Sequence, residues 1–395
     1  KAGNYGTEYT VIYKEGSDSG SVTYDTKNGA NAADIDDIKT DHIAAALYHG
    51  MTQSGSLDTT TYPGISRATI AGSPWPLPTA DWTTDIEGSS IWIQRDDTTD
   101  FTIRTDDSVA SSNLAVVKDE VQTFTELPTV APNGFKVKID GLPDQGSVGS
   151  TAYYVEFETT SDTTTGAPGV AAFEDGVWKE SVAEGIEYKV DASTMPHLLI
   201  RMSNGDFLWT QADGVSTSGG LPALTPPKWG EIEAGDATSN PRPSWLAKND
   251  GTEGEPIRNM AFFADRLVFL SGQDISLSES GQYFNFFRTT VTSLLDSARI
   301  GVTAAHTSVN ILNHAVPMRE QLVVFSQFTQ FALRGSSDGT LTPDNIWVTA
   351  ATEYETSPTV RPMATKRSIY AAAPRGSATL IRELYDSGGT ARPQF

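Results

Sequence analysis

The fold of this chain is decided by the stretch Asn259-Met-Ala-Phe-Phe-Ala-Asp-Arg-Leu-Val-Phe-Leu-Ser-Gly-Gln-Asp-Ile-Ser-Leu277. Apolar side chains recur at Phe263, Leu267 and Phe269. They are separated by even numbers of residues, as is typical of one face of a β-strand. Gly272-Gln-Asp274 is a turn signal, after which apolar and polar residues alternate again. The stretch therefore predicts a β-hairpin.

Similar hairpins are predicted further along the chain. The aromatic segment Tyr283-Phe-Asn-Phe-Phe287, which is too apolar to stay in water, separates the first hairpin from two more alternating strand pairs. These are Leu322-Val-Val-Phe-Ser-Gln-Phe-Thr-Gln-Phe-Ala-Leu333 and Ile369-Tyr-Ala-Ala-Ala-Pro-Arg-Gly-Ser-Ala-Thr-Leu-Ile381. A spacing of roughly fifty residues is typical of propeller blades. Three hairpins are too few to close a propeller, so we expect incomplete blades whose partners lie beyond the ends of this chain. An ordinary sandwich is the alternative.

The middle region, residues 126–230, has a β pattern throughout. Asn204-Gly205 is the strongest short hairpin signal in the chain, and Phe173-Glu-Asp-Gly-Val-Trp178 resembles a tight turn. Prolines mark residues 221–244 as an irregular connector. The alternating positions of the predicted strands are Phe135, Val137, Ile139, Tyr153, Val155, Phe157, Leu198, Ile200, Met202, Phe207 and Trp209.

The first region, residues 1–125, contains two predicted hairpins. The first has its two strands on either side of the turn Gly16-Ser-Asp-Ser-Gly20. The second runs from Ile91 to Ile103 around an acidic turn. Between them, Pro74-Trp-Pro-Leu-Pro78 predicts a stiff loop that cannot join a central strand.

The same region contains one predicted helix, from Ala32 to His49. Its apolar residues recur at helical spacing, Asn31 or Asp34 is placed to cap its start, and Gly50 is placed to end it.

These patterns together predict a mainly β protein with a small α+β domain, made of incomplete β-propeller blades plus inserted β-rich domains. The expected boundaries are 1–125 for the small α+β domain, 126–230 for the β-rich domain and 231–395 for the propeller-like blades. A chain of 395 residues is long enough for each domain to bury its own core.

The composition excludes several kinds of site. The chain has no cysteine, so disulfides, thiolate zinc sites and cysteine nucleophiles are excluded. No apolar run reaches the length of about eighteen residues that predicts a transmembrane helix. The first residues contain neither an initiator Met nor an apolar signal core, and we expect the chain to be cut from something longer.

The charge balance also limits the function. The formal net charge is −22, from 50 acidic and 28 basic residues. Tight binding of nucleic acid needs clustered basic side chains that neutralise phosphates, so this balance argues against it. A conduit for DNA, in contrast, should repel phosphate. An acidic surface that simply keeps the protein soluble is the alternative explanation.

The arginines of the third region are expected in ion pairs inside the fold or at interfaces, because acidic residues accompany them. They are Arg266, Arg288, Arg299, Arg319 and Arg334.

No catalytic, cofactor-binding or metal site is predicted. None of the histidines has a carboxylate at the spacing of a zinc-protease motif. His42 lies on the apolar face of the predicted helix, and we expect it to be a packed residue. We expect the same of His197, His306 and His314.

Three acidic pairs with tryptophans nearby have the residue types of a glycosidase or sugar-binding site. In a chain with 50 acidic residues such pairs arise by chance, and solvated turn residues are the preferred interpretation. The pairs are Asp96-Asp97, Asp106-Asp107 and Asp119-Glu120, and the tryptophans are Trp82 and Trp92.

Several blocks of sequence match a known family in order. The first is Asp265-Arg-Leu-Val-Phe-Leu-Ser-Gly272, with Tyr283-Phe-Asn-Phe286 behind it. Others, from about residue 124 onward, include Leu127-Pro-Thr-Val-Ala-Pro-Asn-Gly-Phe-Lys-Val-Lys-Ile139 and Tyr370-Ala-Ala-Ala-Pro-Arg-Gly-Ser377. On these blocks the chain resembles the nozzle protein, or tail tubular protein B, family of short-tailed T7-like bacteriophages. The family has Gly where this chain has Val268, which implies a strand of ordinary geometry.

The resemblance implies a structural virion protein and not an enzyme. It implies a subunit of the tail nozzle, or tail tube, that forms the genome-ejection channel, located in the virion tail after assembly in the host cytoplasm. The implied partners are further copies in a homo-hexamer, the tail adaptor protein (tail tubular protein A), the tail fibre protein, and double-stranded genomic DNA that passes without tight binding. No cofactor is implied.

Two other functions stay open at this point. One is a tail-associated polysaccharide depolymerase acting on host surface glycans, and the other is a β-propeller binding module. Family members are similar to this chain only in their middle portion, so an N-terminal part and a substantial C-terminal part are expected to be missing here.

Overall fold

The computed structural model describes residues 3–53, 55–72, 75, 77, 81–97, 99–108, 113–141, 152–160, 173–217, 222–247, 252–307, 309–336, 340–366 and 368–385. The chain divides into two compact units, Lys1–Ser181 and Val182–Phe395. Among the described residues, regular structure is mostly β-strand, and a single α-helix lies in the first unit, which confirms the predicted fold class. The division into three domains stays a prediction. The two units join inside the range 126–230.

The first unit opens with an antiparallel four-stranded sheet in the order β3-β2-β1-β6. Its strands are β1 (Glu8–Glu15), β2 (Asp18–Asp25), β3 (Thr69–Gly72) and β6 (Thr102–Asp106). The opening hairpin is confirmed, because β1 and β2 pair over their full length with their alternate residues buried. Its turn is shorter than predicted and contains only Gly16 and Ser17.

The predicted helix is only partly formed. A 3-10 helix spans Ala32–Ile35, and the α-helix, α1, begins later and spans Thr40–Thr52. Between them lies Asp37, whose fully buried carboxylate accepts hydrogen bonds from the Tyr24 hydroxyl and from the Lys27 N–H. These bonds to the first sheet hold the chain where a continuous helix was expected.

The end of α1 also differs from the prediction. Gly50 lies inside the helix, where a Cβ atom would be 2.6 Å from Val22 Cγ1, so glycine allows α1 to pack closely on β2. The helix ends at Gln53, which has a left-handed backbone (φ 46°) and donates its N–H to the His49 carbonyl.

The predicted hairpin from Ile91 to Ile103 is wrong. Strand β5 (Ser90–Arg95) pairs with the preceding strand β4 (Trp82–Glu87), whereas β6 pairs with β1. The packing of Phe101 explains the difference, because its ring stacks on Tyr13 of β1 at 5.6 Å. Most of the predicted stiff loop, Pro74 to Pro78, lies outside the described residues.

A five-stranded sheet completes the first unit in the order β7-β9-β10-β11-β8. The predicted alternation is confirmed in β9 and β10, whose alternate residues are buried. The predicted tight turn at Phe173 to Trp178 is wrong, because β11 continues through it. At Gly176 a Cβ atom would lie 2.3 Å from the Glu158 carbonyl oxygen. The glycine therefore allows β10 and β11 to pair closely, and it does not form a turn. The strands are β7 (Glu120–Val121), β8 (Val130–Pro132), β9 (Lys136–Ile139), β10 (Tyr153–Thr159) and β11 (Phe173–Ser181).

The second unit begins with the hairpin of β12 (Leu198–Arg201) and β13 (Phe207–Thr210). The predicted turn at Asn204-Gly205 is confirmed, and Gly205 has the positive φ of 94° that this turn requires. The described part of the predicted connector, residues 222–244, contains no helix or strand, as expected. It is nevertheless packed, since Trp229 and Ile232 are buried.

Three consecutive antiparallel sheets follow, and we refer to them as blades 1 to 3. Their first strands begin at residues 257, 312 and 363, which confirms the spacing predicted from the sequence. Each sheet has sequential strand order. Blade 1 contains β14 (Ile257–Phe263), β15 (Arg266–Ser271), β16 (Asp274–Leu277) and β17 (Ile300–Thr303); blade 2 contains β18 (Leu312–Met318), β19 (Gln321–Ser326), β20 (Gln330–Arg334) and β21 (Trp347–Thr352); blade 3 contains β22 (Met363–Ala364), β23 (Ser368–Arg375) and β24 (Ala378–Tyr385).

The hairpin around Gly272 is confirmed as β15 and β16, but it is one of two consecutive hairpins. Phe263 and Leu267 lie on different strands, because Ala264 and Asp265 form a two-residue turn between β14 and β15. Both turn residues have positive φ, 49° and 56°, which is the geometry of a type I′ turn. Neither residue is Gly or Asn, and this turn was not predicted from the sequence.

The blades stack face to face. In β15, Val268 and Leu270 point into the core shared with blade 2, while Leu267 and Phe269 point into the core shared with the connector. In β19, every second residue points into the core shared with blade 1, and the residues between them point into the core shared with blade 3. The first strands of neighbouring blades also pack against each other, β14 on β18 and β18 on β22. Antiparallel sheets of sequential strand order that stack face to face are the arrangement expected of propeller-like blades.

Candidate functional site

The histidines occupy separate, packed positions. His42 is buried on α1 with its ring edge-on to Tyr62 at 5.5 Å, as expected for a core residue. His314 is buried in β18, and its pKa is lowered because burial disfavours the charged ring. The His197 ring stacks on the Trp209 ring. Nε2 of His306 lies 3.3 Å from Oε1 of Glu353. Within the described residues, no three histidine, cysteine, aspartate or glutamate side chains cluster closely enough to hold a metal ion.

The acidic pair Asp96-Asp97 is held in a turn. The Arg95 guanidinium binds Asp97 through two nitrogens, at 2.9 and 3.0 Å, and lowers the pKa of that carboxyl to about 2. Asp96 accepts a hydrogen bond from the Thr83 hydroxyl at 2.8 Å. A carboxyl that stays ionised in this way is unsuited to act as a general acid near neutral pH.

The other two acidic pairs have structural partners as well. The Asp106 carboxylate accepts a hydrogen bond from the Ser108 N–H. The fully buried Asp107 carboxylate accepts hydrogen bonds from the N–H groups of Asn113 and Leu114. Asp119 and Glu120 form ion pairs with Lys118 and Lys138 at 3.6 and 3.7 Å.

The nearby tryptophans are not presented as sugar platforms. Trp82 is buried beneath the Arg95 guanidinium, which lies 5.3 Å from its ring centre. Trp92 packs edge-on against Phe135 at 5.0 Å. The acidic residues of the three pairs are thus engaged in hydrogen bonds and ion pairs, and the two tryptophans pack against other side chains.

The most unusual group in the second unit is Arg266, at the start of β15. Its side chain is 1% exposed, and its guanidinium donates to backbone carbonyls from three segments of the chain. The acceptors are the carbonyl oxygens of Ser278 (2.8 Å), Ser297 (3.0 Å), Ala298 (2.6 Å), Asp296 (2.9 Å) and Leu341 (3.4 Å). Burial lowers the pKa of Arg266, although Glu279 and Asp265 oppose that change.

This network joins blade 1 to the chain of blade 2, because Leu341 lies between β20 and β21. We call Arg266 and its carbonyl acceptors the Arg266 joint. The sequence predicted a position inside the fold or at an interface, and Arg266 lies inside the fold. It also predicted carboxylate partners, and the direct acceptors are carbonyl oxygens instead. A planar guanidinium can serve several carbonyls at once because its donors point outward in a fixed fork.

The rest of the quoted segment packs against the aromatic segment. Phe269 stacks on Phe286 at 5.0 Å, and Trp245 meets both rings edge-on. Asp265 accepts the hydroxyl of Tyr283 at 2.7 Å. The expected burial of the segment is confirmed at Phe286 and Phe287, whereas Tyr283 keeps 37% of its surface exposed.

Arg299 provides a second carbonyl contact, donating to the Pro241 carbonyl at 2.7 Å. Its pKa is lowered to about 10, first by burial and then by the positive charge of Arg288. Arg266 and Arg299 thus donate to backbone carbonyls of the second unit, whereas Arg319 and Arg334 are exposed. No helix in the described part of the chain is long and apolar enough to cross a membrane.

The stacked blades and the Arg266 joint define a mainly β protein whose second unit is packed around a buried arginine. The chain belongs to the bacteriophage nozzle protein family, whose pattern it matches over residues 1–394, and it is a component of the virion tail. The tail tubular protein gp12 of Escherichia phage T7 is 31% identical to it over 309 residues. That match covers 78% of this chain and 34% of the relative, so this chain spans about a third of the length of the relative.

Among solved structures, the AfRom2 CNH domain aligns with 98% of this chain and 98% of its own length, at 7% identity and a TM-score of 0.22. A likeness this weak carries no argument about fold or function.

Proposed function

We propose that this protein is a structural subunit of the phage tail nozzle, and that six copies surround the channel through which the genome leaves. The observation that carries the proposal is the family match over residues 1–394. Stacked blades suit this role, because side chains buried on both faces of β15 and β19 make a rigid wall.

The partners proposed for the nozzle are the tail adaptor protein, the tail fibre protein and the DNA that passes through the channel. The surplus of acidic residues fits the passage of DNA without tight binding, since phosphates are repelled. Electron microscopy of the purified full-length protein tests the assembly. We expect rings with six-fold symmetry and a central hole, whereas particles without a hole would contradict the proposal.

We further propose that the protein has no hydrolytic activity. This rests on the engagement of the three acidic pairs in turns, ion pairs and backbone hydrogen bonds. Purified protein should release no sugar from host capsule or lipopolysaccharide. The depolymerase alternative would be established by sugar release that disappears in Asp96→Asn or Asp106→Asn while the control Asp85→Asn retains it.

A further inference from the structure

Two arginines of the second unit are fixed to the same dipeptide of the connector, Asn240-Pro241. Arg288 follows the aromatic segment, and Arg299 precedes β17. The fully buried Asn240 side chain accepts the Arg288 N–H and donates to the Arg288 carbonyl, each at 2.9 Å. Nη2 of Arg299 donates to the Pro241 carbonyl at 2.7 Å. We call Arg288 and Arg299 the arginine pair.

The hydrogen-bond donors of the arginine pair are only partly used. Nε of Arg288 and Nε of Arg299 are buried, and neither has an acceptor among the described residues. Neither guanidinium forms an ion pair within the part of the chain that the structure describes. Buried charged donors are costly unless they meet an acceptor, and a guanidinium binds phosphate or carboxylate oxygens best.

The two positive charges of the pair also destabilise each other. Burial lowers the pKa of Arg299, and the positive charge of Arg288 lowers it further. The position of the Arg299 guanidinium depends on Gly301, because a Cβ atom there would lie 2.7 Å from Nη1. A negative charge bound at the pair offsets this repulsion.

Arg288 lines a polar cleft of about 360 Å³ in the second unit. One wall of the cleft comes from residues 227–233 of the connector, and the other comes from residues 282–289. A hydrogen bond from the Gly230 N–H to the Phe284 carbonyl, 2.9 Å long, joins the two walls. The cleft is therefore built from segments whose relative position is fixed.

The other charged groups of the cleft leave Arg288 unpaired. Lys228 and Glu231 pair with each other, with Nζ 3.0 Å from Oε1. The second carboxylate of the cleft, Glu233, is exposed and forms no ion pair with Arg288. Since one water molecule takes about 30 Å³ in the liquid, the cleft has room for a small anion with several waters. It is far too small for a nucleic acid duplex.

We propose that the arginine pair and its cleft form a binding site for a small, doubly charged oxyanion such as inorganic phosphate. The flat fork of a guanidinium matches the oxygen atoms of phosphate, and two positive charges favour a dianion over a monoanion. Arg288 contacts the anion, and Arg299 adds to the positive potential at the site. The bound anion holds the connector to the segment that carries Arg288. The site is independent of the proposed nozzle function.

Titration of the full-length protein with sodium phosphate tests the site, with sodium chloride at matched ionic strength as the blank. Two or three charge-assisted hydrogen bonds predict a Kd on the order of 1 mM. Arg288→Gln removes the guanidinium that lines the cleft and should weaken binding roughly tenfold or more. Arg334→Gln, at an exposed position on β20, is the matched control and should change the Kd by less than about twofold. Sodium acetate, with a single charge, should bind roughly tenfold more weakly than phosphate.

Thermal denaturation distinguishes anion binding from a purely structural role of Arg288. Millimolar phosphate should raise the melting temperature of the wild type and leave that of Arg288→Gln unchanged. Without phosphate the variant should melt no lower than the wild type, because its repulsion with Arg299 is removed.

Three results would overturn the inference. The first is the absence of saturable phosphate binding to the wild type, which needs no variant. The second is an equal effect of phosphate on the melting temperatures of the wild type and of Arg288→Gln, as general salt exclusion produces. The third is competition by a short DNA duplex at the same phosphate concentration, because a duplex cannot enter the cleft.

Discussion

At the scale of single residues, Arg266 stabilises the second unit by donating hydrogen bonds to backbone carbonyl oxygens. A guanidinium this deeply buried loses its hydration, and the cost is offset only if its donors find acceptors. The carbonyl oxygens of Ser278, Ala298 and Asp296 lie within 2.6 to 2.9 Å of its nitrogens. Removing the side chain would leave the buried carbonyl oxygens of Ser278 and Ala298 without this donor.

We therefore expect Arg266→Ala to lower the free energy of unfolding by roughly 3–5 kcal/mol. Arg258→Ala, at an exposed position on β14, is the control and should change it by less than about 0.5 kcal/mol. Urea denaturation measures both. Equal effects of the two substitutions would show that the carbonyl contacts contribute little.

His314 gives a prediction about pH. Burial lowers its pKa in the folded state below the ordinary value near 6.5. Below that ordinary value the unfolded chain binds a proton that the folded chain does not, so folding stability falls as the pH falls. The contribution is fully retained above about pH 6.5 and is lost on acidification.

His314→Phe should therefore reduce the loss of melting temperature between pH 7.5 and pH 5.5, relative to the wild type. The substitution Phe325→Leu, at a buried position of β19 that does not titrate, serves as the comparison and should leave the pH dependence unchanged. An unaltered pH dependence in His314→Phe would contradict the assigned shift.

At the scale of elements, the sequence predicted strands well where neighbours in sequence are also neighbours in space. The hairpins of β15 with β16 and of β12 with β13 were predicted from alternation and a local turn. The pairing of β6 with β1 was missed, because the packing of Phe101 on Tyr13 joins distant parts of the chain. The delayed start of α1 was missed for the same reason, since Asp37 is fixed by residues of the first sheet.

The residues of the candidate sites were also predicted only in part. The sequence predicted correctly that His42 is packed, and for Arg266 it left open a position inside the fold or at an interface. It could not show that the acceptors of Arg266 are carbonyl oxygens, because backbone acceptors have no residue signature.

The turn between β14 and β15 is open to a direct test. Ala264 is exposed and has a φ of 49°, a conformation that asparagine adopts at lower cost than alanine. We expect Ala264→Asn to raise the free energy of unfolding by about 0.5–1 kcal/mol. Ala378→Asn, at the exposed start of β24, is the control and should bring no gain. If Ala264→Asn destabilises the protein, the assigned turn geometry is wrong.

At the scale of the whole molecule, the net charge of −22 governs contact with DNA. Fixed charges act over a Debye length of about 8 Å at physiological salt, and further at low salt. We therefore expect no affinity for double-stranded DNA even at low salt, where nonspecific binding would be strongest. Fluorescence anisotropy with a labelled duplex measures this, with a basic DNA-binding protein as the positive control. Tight binding that weakens with salt would refute the charge argument and leave the family assignment unaffected.

The central claim is that this protein forms the wall of the tail nozzle. Cryo-electron microscopy of the intact phage particle tests it most directly, by docking the units Lys1–Ser181 and Val182–Phe395 separately into the tail density. The predicted result is six copies around the tail axis, enclosing an open channel for the genome. Density for this protein only in the fibres, or away from the tail axis, would contradict the claim.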